Sequence, residues 1–247
     1  DGQWRPSDAE VKRAIREAPA SAPGPDGIPL AAWKRLGPLG EEALRDVMCD
    51  MMSGEGVSHM EADYPRFNES LMVFLPKEGD RIASGGGMSC VAGNTRPLTI
   101  ANCESRILAN TMGRGLEENM AEWIEPEQQG FLPGRSMLGN VVDIDEAMME
   151  TAMTKEEGSA VFLEFRAALP SGLQGFLLGV LRHRGMPASV LNMVRTLYHD
   201  NSCTLVAGGG RQPGFAIGSG IRRGCPLSPV LFAIAADVLL RRIRRLV

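Results

Sequence analysis

The chain has no apolar run of membrane-spanning length. The longest, Val230 to Leu240, is broken by Asp237 and falls well short of the ~20 residues a span needs, so no membrane anchor is expected. Nor does a charged segment precede an apolar core at the start, so no secretory leader is expected, and a first residue of Asp1 rather than Met reads as an end cut from something longer. Cysteine is sparse and unpatterned. Cys49, Cys90, Cys103, Cys203 and Cys225 are odd in number, form no CxxC pair and have no histidine at ligand spacing, which argues against a zinc site or a disulfide framework. Scattered thiols of this kind fit a reducing interior, each as a small buried hydrophobe. Positive charge is also in deficit. A formal net charge of −4 excludes simple whole-surface attraction to nucleic acid, and no internal repeat marks a solenoid.

What is present suffices for a folded domain. At 247 residues and 44% hydrophobic content, the chain can bury a substantial core, as one large domain or two interleaved lobes. Charge is unevenly spread. From Leu181 to Val247 there are ten arginines against Asp200 and Asp237, whereas Glu41 to Asp63 holds seven acids and one arginine. One half can face phosphates while the other faces water.

Ser7 with Glu10 is a capping-box pair, and Val11, Ala14, Ile15 and Ala18 recur at helical spacing, which predicts a helix over 7–18. Pro19 ends it. The run Ser21 to Pro29 (SAPGPDGIP) is too rich in proline and glycine for regular structure and suits a shaped loop. A helix over about 39–53 would bury Ala43, Leu44, Val47, Met48, Met51 and Met52. Leu71 to Leu75, closed by Pro76, reads as a strand with Pro97 to Ile100 as antiparallel partner, and a long glycine-rich loop lies between Lys77 and Arg96. Helices are predicted from Asn102 to about Trp123, over 137–154, and around 176–181 and 190–198. Ala160 to Phe165 reads as a buried strand carrying one carboxylate, Glu164. Thr204 to Val206 and Phe215 to Ile217 flank a Gly208-Gly-Gly210 turn, a plausible hairpin. Ser228 as N-cap and Pro229 at the first helical position start a last helix that runs into Arg241, Arg242, Arg244 and Arg245. Strands interrupted by helices, with hairpins between, indicate α+β.

Several residues could carry chemistry. Lys77 and Arg96 on adjacent strands can clamp a triphosphate, or be two solvated charges at strand ends. Glu164 in apolar surroundings must be neutralised, metal-bound or paired, with Arg166 as the nearest cation. Gly224-Cys-Pro-Leu-Ser-Pro229 offers a close approach to backbone beside a rigid turn, or is an ordinary strand-to-helix turn. Asp237 precedes Arg241 by four residues, the favourable order for an intrahelical ion pair. The terminal arginines complement the helix dipole or contact phosphate.

Taken in order, these segments resemble the reverse transcriptase domain of non-LTR (LINE-type) retrotransposons over nearly the whole chain. Ser21 to Pro29 is similar to the family's N-terminal loop, and Leu75-Pro-Lys77 with Arg96-Pro-Leu-Thr-Ile100 to its two fingers motifs. QQGFLPGRS (Gln128 to Ser136) is similar to the segment before the palm, Val161 to Ser171 to the first metal-binding motif, and IRRGCPLSPVLFAI (Ile221 to Ile234) to the motif facing the template base. The QQGFLPGRS and RRGCPLSPVLF forms favour retrotransposons over group II intron enzymes.

The resemblance implies a right-hand polymerase fold: an N-terminal extension and fingers over 1–101, and a partial palm over 102–247 with a fingers segment at about 172–215. It implies nucleotidyl transfer with two Mg²⁺ ions, on an RNA template, a DNA primer and deoxynucleoside triphosphates. Glu164 and the Phe165 backbone carbonyl would hold metal, and Lys77, Arg96, Leu169, Arg223 and Gly224 would bind nucleotide. Arg222, Arg241, Arg242, Arg244 and Arg245 would contact nucleic acid. Residence in the nucleus follows only by analogy.

Departures from the family pattern fall at the chemistry. Glu164 stands where aspartate is expected, and a shift on the order of 1 Å can cost ~10²-fold in rate. Leu169 replaces the aromatic that rejects a 2′-hydroxyl, which loosens sugar selection. Arg223 replaces a glutamine and Gly139 an acidic residue. The aromatic-x-Asp-Asp hairpin that completes the two-metal site does not follow Ile234, nor does a thumb, so the stretch alone is expected to be inactive. The competing expectations are a non-catalytic RNA-binding relic and an intron-type maturase.

Overall fold

Ser7 opens the first helix as its capping box predicts. Its hydroxyl accepts the Glu10 N–H at 3.3 Å, and the Glu10 carboxylate accepts the Ser7 N–H at 2.7 Å. The architecture is that of a computed structural model describing residues 4–77, 81–82, 88–89, 91–120, 122–154, 157–165 and 168–246. The N-terminal third is helical: α1 (Asp8–Glu17), α2 (Leu30–Leu36), α3 (Pro38–Met52) and α4 (Gly56–Asp63). Next come β1 (Glu69–Pro76), the paired two-residue strands β2 (Arg81–Ile82) and β3 (Met88–Ser89), and β4 (Thr95–Ala101). The helices α5 (Cys103–Met120), α6 (Met137–Thr154), α7 (Ala168–Ser171), α8 (Gln174–His183) and α9 (Ala188–Tyr198) follow, then the hairpin β5 (Ser202–Ala207) and β6 (Gly210–Ala216), and finally α10 (Ser228–Arg244).

Mixed α/β content thus surrounds one four-stranded sheet in the order β4-β1-β5-β6. β1 pairs antiparallel with β4, placing Phe74 opposite Pro97 and Leu75 opposite Arg96, and parallel with β5. Pro97 is tolerated because β4 lies at the edge, where a missing N–H leaves no ladder bond unmade. Between β1 and β4, residues 78–80, 83–87 and 90 lie outside the described residues, as do most of the loop glycines noted above.

The core is built by helices. Leu44, Met48 and Met51 of α3 meet Leu108 and Met112 of α5, Leu181 of α8, Met193 of α9 and Leu231 of α10, all fully buried in one cluster. Of the positions expected inside α3, Ala43 is exposed and Val47 half-buried. The Ser21–Pro29 loop is tied to α5, whose Arg106 donates to Ser21 Oγ at 2.8 Å and to the Ala22 carbonyl at 2.7 Å. Among the described residues no helix is long and apolar enough to cross a membrane.

Two expectations are corrected. Ala160 to Phe165 forms no strand and is not buried: Val161, Phe162 and Leu163 are 79, 78 and 71% exposed. An extended segment holds its shape only beside another strand, and no described strand lies next to it. Ser228 is the first residue of α10 rather than its cap. Its hydroxyl donates instead to the Arg222 carbonyl at 2.5 Å.

His59 of α4 bonds Asp50 of α3 at 2.5 Å and lies 3.5 Å from Glu55, and the Asp50 carboxylate holds its imidazolium above the ordinary value of 6.5. A raised folded value gives stability that is full below pH 6.5 and lost as pH rises through the folded pKa. In urea titrations, the gap between the parent chain and His59→Gln is therefore expected to be largest below pH 6.5 and to close on the alkaline side. A gap that widens with pH contradicts this docking.

Candidate nucleotide-binding site

The turn from Ile221 to Ser228 is fastened on three sides. Its Arg223 carbonyl accepts both the Thr99 N–H at 3.2 Å and the Thr99 hydroxyl at 2.5 Å, so the turn extends the free edge of β4. Gly224 adopts φ +95°, and a Cβ there would meet the Thr99 carbonyl oxygen at 2.7 Å. Only glycine permits that approach. On the second side, the Ile221 N–H donates to the Leu169 carbonyl at 2.8 Å and the Gly220 N–H to the Gly172 carbonyl at 2.7 Å, which draws α7 against the turn.

The third fastening is Arg222, only 8% exposed. Its guanidinium donates to Asn68 Oδ1 at 2.9 Å and to the Leu197 carbonyl at 2.6 Å, and lies 5.8 Å from the centre of the Tyr198 ring. Asn68 in turn donates to the Thr196 and His199 carbonyls at 2.6 and 2.8 Å. Burial pushes the Arg222 guanidinium below, and the Tyr198 phenol above, their usual values. Carbonyl dipoles and the ring face offset that desolvation.

Beside these ties opens a shallow cavity of about 310 Å³ whose wall includes Phe131, Leu169, Arg223, Gly224, Cys225 and Pro229. Three of the expected nucleotide-binding residues, Leu169, Arg223 and Gly224, therefore come together. Phe131 was not singled out from the sequence. Its backbone takes φ 66°, and its ring packs edge-on against Phe232 with centroids 5.8 Å apart. The nearby Arg135 is a staple, donating to the Glu125, Gln128 and Ile124 carbonyls at 2.6, 2.9 and 2.9 Å.

Lys77 and Arg96 are exposed and stand at the far end of the β1–β4 pair, outside the cavity wall. The Lys77 N–H donates to the Asn94 carbonyl at 3.0 Å. By strand alternation Arg96 and Leu98 share one face, and Leu98 Cδ1 lies 3.2 Å from the Cβ position of Gly224. Glu164 and Phe165 are exposed on the irregular 157–165 stretch and do not line the cavity. Arg166, the alternative partner for Glu164, lies outside the described residues.

The arginines expected to meet nucleic acid divide by geometry. Arg222 is interior, as above, so it is not available to phosphate. Arg241 bonds Asp237 at 2.7 Å, Glu125 at 2.6 Å and the Trp123 carbonyl at 2.6 Å, and Arg244 pairs with Glu125 and with Glu127 at 3.6 Å. Asp237 is 1% exposed and also holds Arg184 and the Glu125 N–H. Arg242 and Arg245 remain exposed, with no ion pair among the described residues.

Residues 75–247 match the reverse transcriptase (RNA-dependent DNA polymerase) family. The chain belongs to that family. It is 24% identical to the transposon TX1 149 kDa protein of Xenopus laevis over 96% of its own length and 17% of that protein's. It is 26% identical to the Pol polyprotein of the type-1 retrotransposable element R2 of Nasonia vitripennis, covering 97% of this chain and 22% of that one. It is 24% identical to the type-2 R2DM polyprotein of Drosophila melanogaster, covering 96% and 21%. Its relatives are thus non-LTR retrotransposon proteins, and the chain spans about a fifth of their length.

Replacing Arg222 by Ala strands Asn68 Oδ1 and the Leu197 carbonyl in a buried site, at about 1–3 kcal/mol for each acceptor left without a donor. Chemical unfolding is expected to show that loss; stability within ~0.5 kcal/mol of the parent contradicts the clasp.

Proposed function

We propose that this chain is the fingers and partial palm of an RNA-directed DNA polymerase of a non-LTR retrotransposon, with residues 1–101 as N-terminal extension and fingers and 102–247 as palm, interrupted by a fingers segment at about 172–215. The observation that carries the reading is the cavity shared by Leu169 of one motif and the adjacent Arg223 and Gly224 of another, more than fifty residues further along the chain. An incoming nucleotide would seat its sugar over Leu169 and its base against the Arg223–Gly224 turn. Lys77 and Arg96 would draw its triphosphate, Lys as a point charge and Arg as a two-pronged donor. The bound partners would be an RNA template and a DNA primer.

Reverse transcriptases in general depend on divalent metal, and Mg²⁺ is the ion we assign. Among the described residues no three His, Cys, Asp or Glu side chains group as a cation site. Glu164, with the Phe165 carbonyl, is thus one half of a ligand set at most. The residues described do not fit a two-ion centre, and the chemistry argued for them is binding. We infer that the stretch alone binds nucleotide without catalysing transfer.

A second reading, a non-catalytic nucleic-acid module, draws on the exposed Arg242 and Arg245, which carry no ion pair among the described residues. Salt-sensitive RNA binding that ignores nucleotide would favour it.

Two measurements test the first reading. In equilibrium dialysis with labelled deoxynucleoside triphosphate, Lys77→Ala and Arg96→Ala are each expected to weaken binding about tenfold or more, the scale of a charge-assisted contact. Unaltered affinity in both rejects the triphosphate role. Leu169→Phe is expected to raise the preference for deoxy- over ribonucleotide by about tenfold, because a ring beneath the sugar collides with a 2′-hydroxyl. An unchanged ratio separates Leu169 from the sugar.

A further inference from the structure

The α6 helix buries none of its residues, although its sequence is rich in apolar side chains. Leu138, Val142 and Met149 are 74, 62 and 58% exposed. With Asp145 they recur at steps of four, three and four, which aligns them as one stripe along the helix. A second stripe runs beside it: Met137, Val141, Ile144 and Met148 follow the same steps one residue earlier, and all four are exposed. A continuous apolar face of this extent on a folded chain marks an interaction surface. Its one interruption is Asp145.

The charge of the helix narrows the partner. Asp143, Asp145, Glu146 and Glu150 are its only charged side chains, and none forms an ion pair among the described residues. Four acids without a cation argue against a nucleic-acid strand or an anionic membrane surface, both of which call for lysine and arginine. The face suits a protein surface in which apolar side chains surround a positive charge.

The chain itself displays such a surface. In the last turns of α10, Leu239, Ile243 and Leu246 are exposed, and Arg242 stands among them. Arg241 and Arg244, on the opposite side of that helix, are held by Asp237 and Glu125. Arg242 has no ion pair among the described residues. Leu239, Arg242 and Leu246 are spaced by three and four, as are Val142, Asp145 and Met149 of α6. The two stripes are alike in spacing and opposite in sign.

We propose that the apolar face of α6 docks on the last turns of α10 of a second copy of this chain, with Asp145 set against Arg242 of that copy. Each copy carries both stripes, so a two-fold arrangement makes the pairing twice and leaves neither stripe open. The apolar side chains supply the contact area. The charged pair supplies the register, because a slip along either helix would leave Asp145 and Arg242 each against an apolar side chain. The pairing does not use the nucleotide cavity and stands apart from the polymerase reading.

The test is sedimentation velocity of the chain across the micromolar range, where a concentration-dependent dimer is expected. Asp145→Arg and Arg242→Asp are each expected to weaken it by about tenfold or more, since like charges then meet in both pairings. Thermal unfolding at low concentration is expected to stay unchanged in both, because each position is exposed. An equimolar mixture of the two single variants is expected to associate again, through one native and one reversed pair, and so is the double variant alone. A chain that stays monomeric overturns the proposal, as does a dimer indifferent to both substitutions. A mixture no better than its components overturns it too, since the two charges would then not act on each other.

Discussion

Arg222 is the constraint on which the rest of the site depends. A guanidinium at 8% exposure with no carboxylate beside it would be costly if its donors were idle. Here the Leu197 carbonyl at the end of α9 and the amide oxygen of Asn68, just before β1, both accept from its Nη2. The same side chain therefore joins α9, the entrance to the sheet, and the turn that ends in Gly224. Because Asn68 is itself fixed by the Thr196 and His199 carbonyls, the clasp has little freedom, and the position of the turn against β4 follows from it. The double hydrogen bond from Thr99 to the Arg223 carbonyl then fixes the turn against the free edge of β4.

A second interior charge organises the opposite end of the last helix. Asp237, nearly inaccessible, gathers Arg184, Arg241 and the Glu125 N–H. The intrahelical pair with Arg241 was visible in the spacing. The role of Arg184 was not, because it comes from the end of α8. Truncating such a carboxylate leaves Arg184 without its counterion near the core and Arg241 with Glu125 alone, which is why a buried network is easier to break than to replace.

Local signals carried the reading of the fold where partners lie close in sequence. The capping box at Ser7, the antiparallel pairing of β1 with β4, the bounds of α6 and the hairpin after Asn201 each follow from patterns within a few tens of residues. The parallel pairing of β1 with β5 left no such trace, since it joins strands from opposite halves of the chain. α2 and α4, of 7 and 8 residues, are too short for a periodicity to stand out. Ala160 to Phe165 shows the converse error: its composition specifies a strand, but pairing is a property of neighbours. In the site, motif order pointed to Leu169, Arg223 and Gly224 together, while the buried state of Arg222 was hidden by its place in a run of arginines that reads as surface.

The net charge of −4 hides an uneven compensation that shows at the level of individual pairs. Of the ten arginines in the last third, Arg222 is interior, and Arg184, Arg241 and Arg244 are held by carboxylates. Those residues stabilise the fold and add little to the outward field. Arg182, Arg195, Arg211, Arg223, Arg242 and Arg245, with Lys77 and Arg96 from the first half, carry no ion pair among the described residues. A handful of uncompensated cations gives a local attraction for phosphate, not a general one.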